Sequence, residues 1–145
     1  MITVSRQALV GYGAAEMYEL VADIESYPGF LPWCKAVEIG LREPDRTIAT
    51  LHVDFRGVRQ AFTTENAQRH GERIAMRLVR GPFRHLEGEW RFVQLGEAGC
   101  RVDFELAYQL AGPILQRLAG SVFDHIANTF VDAFVRRADA LHLRT

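Results

Sequence analysis

The run CRVDFELAYQL, residues 100–110, constrains this chain more than any other stretch. Cys100, Val102, Phe104, Leu106, Tyr108 and Leu110 alternate without exception with Arg101, Asp103, Glu105, Ala107 and Gln109. A period of two places the first set on one face of a strand and the second on the other, the pattern of an antiparallel sheet with one buried and one wet face. Gly112-Pro113 ends the strand, and the period changes. From Pro113 to about Leu141 the residues Leu115, Leu118, Ala119, Val122, Phe123, Ile126, Phe130, Ala133 and Phe134 fall in one stripe at ~100° per residue, with proline at the favoured first helical position. At ~1.5 Å per residue that predicts a helix roughly 40 Å long, enough to cross a small sheet. One long helix must then cover the apolar face of a twisted sheet. A curved sheet gripping a straight helix need not close around it, and a leftover space between them suits an apolar ligand.

The same alternation runs through the middle of the chain. Leu51, Val53 and Phe55 oppose His52, Asp54 and Arg56; Ile74, Met76 and Leu78 share a face; Leu86, Trp90 and Phe92 oppose Glu87, Glu89 and Arg91. Turn signals at Arg56-Gly57, His70-Gly71, Gly81-Pro82 and Gly96 to Gly99 separate these runs. With WCKAVEIGL and VRQAFTTENAQ added, six consecutive strands are expected. They are preceded by a strand over residues 2–10 and a helix over 14–24, where Met17, Leu20, Val21 and Ile24 have helical spacing. No repeat or low-complexity linker interrupts the chain, and 145 residues suit one domain over 1–145.

Between that helix and the sheet lies YPGFLPWC, residues 27–34. Tyr27, Phe30, Leu31 and Trp33 are large and apolar, yet Pro28, Gly29 and Pro32 forbid a regular element that would bury them. Either the segment folds back over the core as a plug, or it gates a pocket and opens toward a membrane. Phe83 poses a similar question beside the Gly81-Pro82 turn. It is a tip folded inward against the end of the long helix, or a second rim residue opposite Phe30. Inside, Phe55, Phe62, Met76, Trp90, Phe104, Val122, Phe123, Ile126 and Phe130 are the candidates to line a cavity.

Charge and cysteine content narrow the partners. The net charge of −1 argues against broad capture of nucleic acid, and no DNA partner is expected. Arg69, Arg73, Arg77, Arg80 and Arg84 form a local excess along one hairpin, but Glu72, Glu87 and Glu89 are close enough to pair with them. Cys34 and Cys100 lack metal or redox spacing and read as two buried free thiols. The first residues have neither the basic start nor the apolar run of a signal peptide, and no stretch nears the ~20 apolar residues of a membrane-spanning helix. A cytoplasmic protein is expected, peripheral at the inner membrane when it meets lipid. No Ser/His/Asp arrangement, paired carboxylates or His-rich metal spacing stands out. His125, Asn128 and Asp132 share a helix flank more than ~90° from the apolar stripe, facing solvent or the sheet edge.

Strand, short helices, six strands and a long C-terminal helix make up the α+β helix-grip, START-like fold: a curved antiparallel sheet of about seven strands wrapped around the C-terminal helix, with two short helices after the first strand. Four motifs narrow the resemblance. SYPGFLPWC, GPFRHLEGEWRF, CRVDFELAYQL and GSVFDHIANTFVDAFVRRA are similar to the RatA family of bacteria and its mitochondrial relatives, the coenzyme Q-binding proteins, from about residue 3 to residue 142. The resemblance implies a non-enzymatic protein, without a catalytic cofactor or metal, that holds a polyisoprenoid quinone or similar lipid between sheet and helix in support of respiration. It also implies an alternative, a ribosome-associated toxin that binds the large subunit and blocks subunit joining. A second alternative is a polyketide cyclase-like enzyme. For a quinone carrier, Tyr27, Phe30, Leu31 and Phe83 are the residues expected to touch the membrane surface.

Overall fold

The computed structural model describes residues 1–143. Strand β1 (Ile2–Val10) leads into helix α1 (Ala14–Ala22) and a 3-10 helix (Ile24–Gly29). Strands β2 (Cys34–Glu43), β3 (Arg46–Phe55), β4 (Val58–Arg69), β5 (Arg73–Arg80), β6 (Phe83–Leu95) and β7 (Gly99–Leu110) follow, and helix α2 (Pro113–Leu143) closes the chain. The seven strands form one antiparallel sheet in the order β1-β7-β6-β5-β4-β3-β2. The expected helix-grip arrangement is therefore present, a curved seven-stranded sheet with a long C-terminal helix. The two short helices arise because Asp23, at φ −81° and ψ 68°, leaves helical geometry after α1, and the Pro28-containing turn continues only as 3-10 helix.

α2 lies on the sheet by a line slightly rotated from the predicted stripe. Ala119, Val122, Phe123 and Phe134 are buried as expected, and Ala127, Val131 and Ala138 join them. Leu118 is 69% exposed, contrary to its place in the stripe. The alanines let the helix approach the strands closely, which selects their side of the cylinder, and the first turns of α2 run beyond the cover of the sheet.

Two local features shape the sheet. Gly88 pairs with Met76 on one side and Leu106 on the other. A Cβ at Gly88 would stand 2.9 Å from Met76 Cε and 3.0 Å from Leu106 Cδ1, so the missing side chain lets these two converge. The β5–β6 ladder also stops at Arg77–Glu87. Beyond it β5 stays with β4 up to the Thr63–Arg80 pair, while β6 stays with β7 from Phe83–Leu110. Between them the sheet gapes toward the Gly81-Pro82 turn.

The β3–β4 hairpin turns on Arg56 and Gly57, at φ 52° and 81°. Two positive φ values in a two-residue loop match the twist of a hairpin but disfavour a side chain as large as arginine. The guanidinium lies 4.7 Å over the Phe55 ring, a partial compensation. Arg56→Asn is expected to stabilise the protein by about 0.5–1 kcal/mol in urea denaturation, since asparagine tolerates this region better than other residues with a Cβ. A loss of stability would show that the cation–π contact outweighs the backbone cost.

Candidate functional site

Two aromatic clusters occupy the space between sheet and helix. In the first, Trp90 of β6 lies 4.6 Å from Phe104, 5.5 Å from Phe130 and 5.4 Å from Phe134, ring centre to ring centre, and Tyr27 and Trp33 close on Phe130. In the second, Phe83 meets Phe123 at 5.0 Å, Phe62 at 5.5 Å and Tyr108 at 6.3 Å. Most of these pairs are edge-on, the preferred arrangement of ring quadrupoles. An apolar cavity of about 90 Å³ lies between the clusters, walled by members of both together with Ile24, Ala49, Leu51, Met76, Leu86, Leu106, Ile126 and Ala127.

Nine predicted residues meet at this cavity: Tyr27, Trp33, Phe62, Met76, Phe83, Phe104, Phe123, Ile126 and Phe130. Five others lie outside its wall. Trp90 sits behind Phe104, Leu31 and Val122 are sealed in the surrounding core, and Phe55 stacks on His125 at 5.6 Å. Phe30 packs on Phe134 with the Arg137 guanidinium 5.2 Å from its ring. Phe83 is 7% exposed, so it is the inward-folded tip rather than a rim residue. Nor does it oppose Phe30. Their partners on α2, Phe123 and Phe134, are eleven positions apart, ~16 Å along the axis. Of the residues expected at a membrane surface, Tyr27, Leu31 and Phe83 are buried and only Phe30 is half-exposed. The YPGFLPWC segment plugs one side of the cavity.

Sequence reading missed three polar residues in the wall: Thr64, Asn66 and Tyr108. Phe62 sets the phase of β4, so Thr64, Asn66 and Gln68 follow it onto the inner face where apolar residues belong, and that break in pattern was the available signal. Thr64 Oγ1 donates to Asn66 Oδ1 at 3.0 Å. The Asn66 amide nitrogen has no partner among the described residues, yet no fully buried side-chain polar atom there is left unpaired. It therefore borders open space, and by the same reasoning so does the Trp33 indole N–H; these two are the free donors in the wall. Tyr108 donates its hydroxyl to Asp124. Burial first, and the neighbouring carboxylate second, raise its pKa far above the ordinary phenol value, so it stays protonated.

The titratable groups do not converge on the cavity. No carboxylate or imidazole lines it. His52, His70 and His85 pair with Glu38, Glu19 and Glu87 on the outside, and Asn128 accepts from Arg6. His125 faces the Phe55 ring at the sheet edge rather than solvent. Cys34 and Cys100 are free and buried, and burial pushes the Cys34 thiol up to about 11, which keeps it unreactive. Among the described residues no cluster of His, Cys, Asp and Glu is arranged to hold a metal ion, and no helix is long and apolar enough to cross a membrane. A larger concavity, about 1020 Å³, lies across the outer face of the sheet. It is open, and its charges satisfy one another, as in Arg46–Glu65–Arg77 and Arg73–Glu89, so its size reflects sheet twist rather than an enclosed site.

The sequence and the fold have relatives. Residues 10–135 match the family described as polyketide cyclase / dehydrase and lipid transport. The chain belongs to that family. Within it, the chain is 40% identical to the ribosome association toxin RatA of Pseudomonas aeruginosa over 139 residues, covering 96% of each protein. It is 28% identical to the mitochondrial coenzyme Q-binding protein COQ10 homolog B of Xenopus laevis, covering 99% of this chain and 60% of that one. Among solved structures of the same fold, a START superfamily protein of Mycobacterium smegmatis superposes with a TM-score of 0.75 at 25% identity, covering 96% of this chain and 98% of that one. The Zhui aromatase/cyclase from Streptomyces superposes with a TM-score of 0.80 at 21% identity, covering 95% and 93%. The second likeness, at that identity, is one of fold alone.

Proposed function

We propose that this protein binds a prenylquinone or similar lipid without converting it, taking the ligand up and giving it up in support of respiration. One observation carries the reading: an apolar cavity between sheet and α2 whose wall offers free hydrogen-bond donors, the Asn66 amide nitrogen and the Trp33 indole N–H, and no free acid or base. A quinone ring is flat and apolar, with carbonyl oxygens that accept from such a donor. Acid–base catalysis, by contrast, needs titratable groups within reach of the substrate, and none lines the wall. The name of the coenzyme Q-binding relative supports the same ligand class.

Size sets a condition on the reading. Ligand pockets commonly span roughly 300–1,000 Å³, so about 90 Å³ describes a closed state with room for part of a head group. A prenyl chain requires the walls to part. Its tail starts dry in the bilayer, so the gain of ~0.8 kcal/mol per methylene leaving water is not available here. Affinity then rests on shape and on the Asn66 and Trp33 donors, and a modest value suits a carrier that must release its load.

Mass spectrometry of an organic extract, from protein purified without detergent out of a quinone-making host, is the test. A stoichiometric prenylquinone is expected. Ala127→Leu, which places a side chain in the cavity from α2, is expected to lower that content at least tenfold while the fold is kept. Equal quinone in both proteins would place the ligand elsewhere. An empty extract from the parent protein would favour a second reading, association with the large ribosomal subunit, which the name of the 40%-identical relative supports. Co-sedimentation with large subunits at physiological salt then decides it.

A further inference from the structure

The cations of this protein are distributed unevenly. On the outer face of the sheet arginines are taken up by carboxylates: Arg46 and Arg77 by Glu65, Arg73 and Arg91 by Glu89, Arg101 by Asp103. At one end of the molecule they are not. Arg56 in the β3–β4 turn, Arg80 and Arg84 on either side of the β5–β6 turn, and Arg117 in the second turn of α2 are all exposed, and none forms an ion pair among the described residues. Lys35 and Arg59 share Asp54, and residues 55–64, 78–86 and 110–118 carry no carboxylate.

The topology brings these segments together. Phe55 pairs with Val58 across the β3–β4 turn, Arg80 with Thr63 of β4, and Phe83 with Leu110 at the end of β7. Ala111 N–H donates to Pro82 O at 2.8 Å, tying the approach to α2 onto the β5–β6 turn. The first turn of α2 carries no acidic residue, so its helix dipole adds uncompensated positive potential at the same place. The same end also displays aliphatic side chains. Ile114 is 74% exposed and Leu118, one turn further along α2, is 69% exposed, while Val79 before the β5–β6 turn is 48% exposed.

We propose that this end is a docking face for an anionic lipid bilayer. Ile114 and Leu118 enter the boundary between head groups and acyl chains, and Arg80, Arg84 and Arg117 meet lipid phosphates around them. The protruding aliphatic pair favours lipid over RNA, which rewards cations and flat aromatic faces but gains nothing from two exposed aliphatic chains. The cavity residues Phe62, Phe83 and Leu86 lie beneath this end, where β5 and β6 part. A ligand passing between bilayer and cavity at this end would have to part only Phe62 from Phe83, whose ring centres lie 5.5 Å apart. That purpose rests on the carrier reading, but docking itself is measurable with the cavity empty.

The test is flotation of the full chain with phosphatidylcholine vesicles, with and without phosphatidylglycerol, at low and physiological salt. Binding is expected only with phosphatidylglycerol and is expected to weaken as salt rises. Combined Arg80→Gln, Arg84→Gln and Arg117→Gln should lower the partition coefficient about 100-fold, roughly fivefold for each arginine. Combined Ile114→Gln and Leu118→Gln, which remove the aliphatic groups without adding charge, should lower it at least tenfold with the circular dichroism spectrum unchanged, since both positions are exposed. Absence of binding to phosphatidylglycerol vesicles overturns the proposal. So does undiminished binding by the Ile114→Gln, Leu118→Gln protein, which would mark the face as a general polyanion surface of the kind that meets RNA. A protein that carries quinone but ignores vesicles keeps the carrier reading and loses this one. A protein that binds vesicles but never carries quinone does the reverse.

Discussion

Replacing Trp90 by alanine is expected to remove about 3–5 kcal/mol of stability, the usual cost of emptying a buried aromatic site. Trp90 is 1% exposed and touches Phe92, Phe104, Phe130 and Phe134, so it joins β6, β7 and α2 through one side chain. These neighbours cannot collapse into the vacancy freely. Phe104 is fixed by strand pairing on both sides, and Phe130 is wedged between Trp33 and Phe134. Single domains are commonly stable by about 5–15 kcal/mol, so the loss takes a large share of the reserve and should lower the urea midpoint markedly. Urea denaturation with an unchanged slope checks the value. The readout is available because Trp33, the other of the two tryptophans, remains and is itself buried. A loss below about 1.5 kcal/mol would show that the first aromatic cluster repacks. In that case the cavity beside it is slack in a soft core, not a space held open by rigid walls.

The second large effect is expected at Gly81. Its φ of 152° is one that side chains rarely adopt, and a Cβ there would lie 2.6 Å from Phe62 Cβ and 3.1 Å from Phe62 Cα. The obstacle is the root of a side chain and its backbone, not a flexible tip that can swing aside. Phe62 is itself held between Phe83 and Phe123. Gly81→Ala should cost about 3 kcal/mol through combined strain and overpacking. At Gly57 and Gly96 the added atom would meet open space, so only the backbone cost of their positive φ remains, of order 1 kcal/mol. Denaturation of the three alanine variants tests the contrast directly. If Gly81→Ala costs no more than the other two, the β5–β6 tip shifts easily against β4. Such a tip would be the moving part when the sheet opens over the cavity.

The outcomes at individual residues show where sequence reasoning reaches. Phe104, Phe123 and Phe130 face inward because their positions follow from strand and helix periods that every neighbour reinforces. Leu118 was misplaced because hydrophobicity marks what a helix is able to bury, not where its cover ends. Phe30 and Phe83 are expected across one mouth, yet their partners on α2 lie about three helical turns apart. Their separation depends on how far the α1 segment travels along α2, and no local pattern encodes that distance. Val122 and Phe123 are adjacent in the chain, yet only Phe123 meets the cavity, a difference set by the rotation of α2 on the sheet.

From residue pattern alone came the six strands after the first helical region, the single long helix, their buried faces and the family resemblance. These depend on interactions between near neighbours, whose periodicity survives in one dimension. The tertiary structure decided the rest: the cavity between two aromatic clusters, the unpaired Asn66 donor, the parting of β5 from β6, and the tie between the β5–β6 turn and the approach to α2. Each of these is a meeting of residues distant in the chain. Such meetings depend on sheet register, twist and helix rotation, which are settled only when the whole core packs at once.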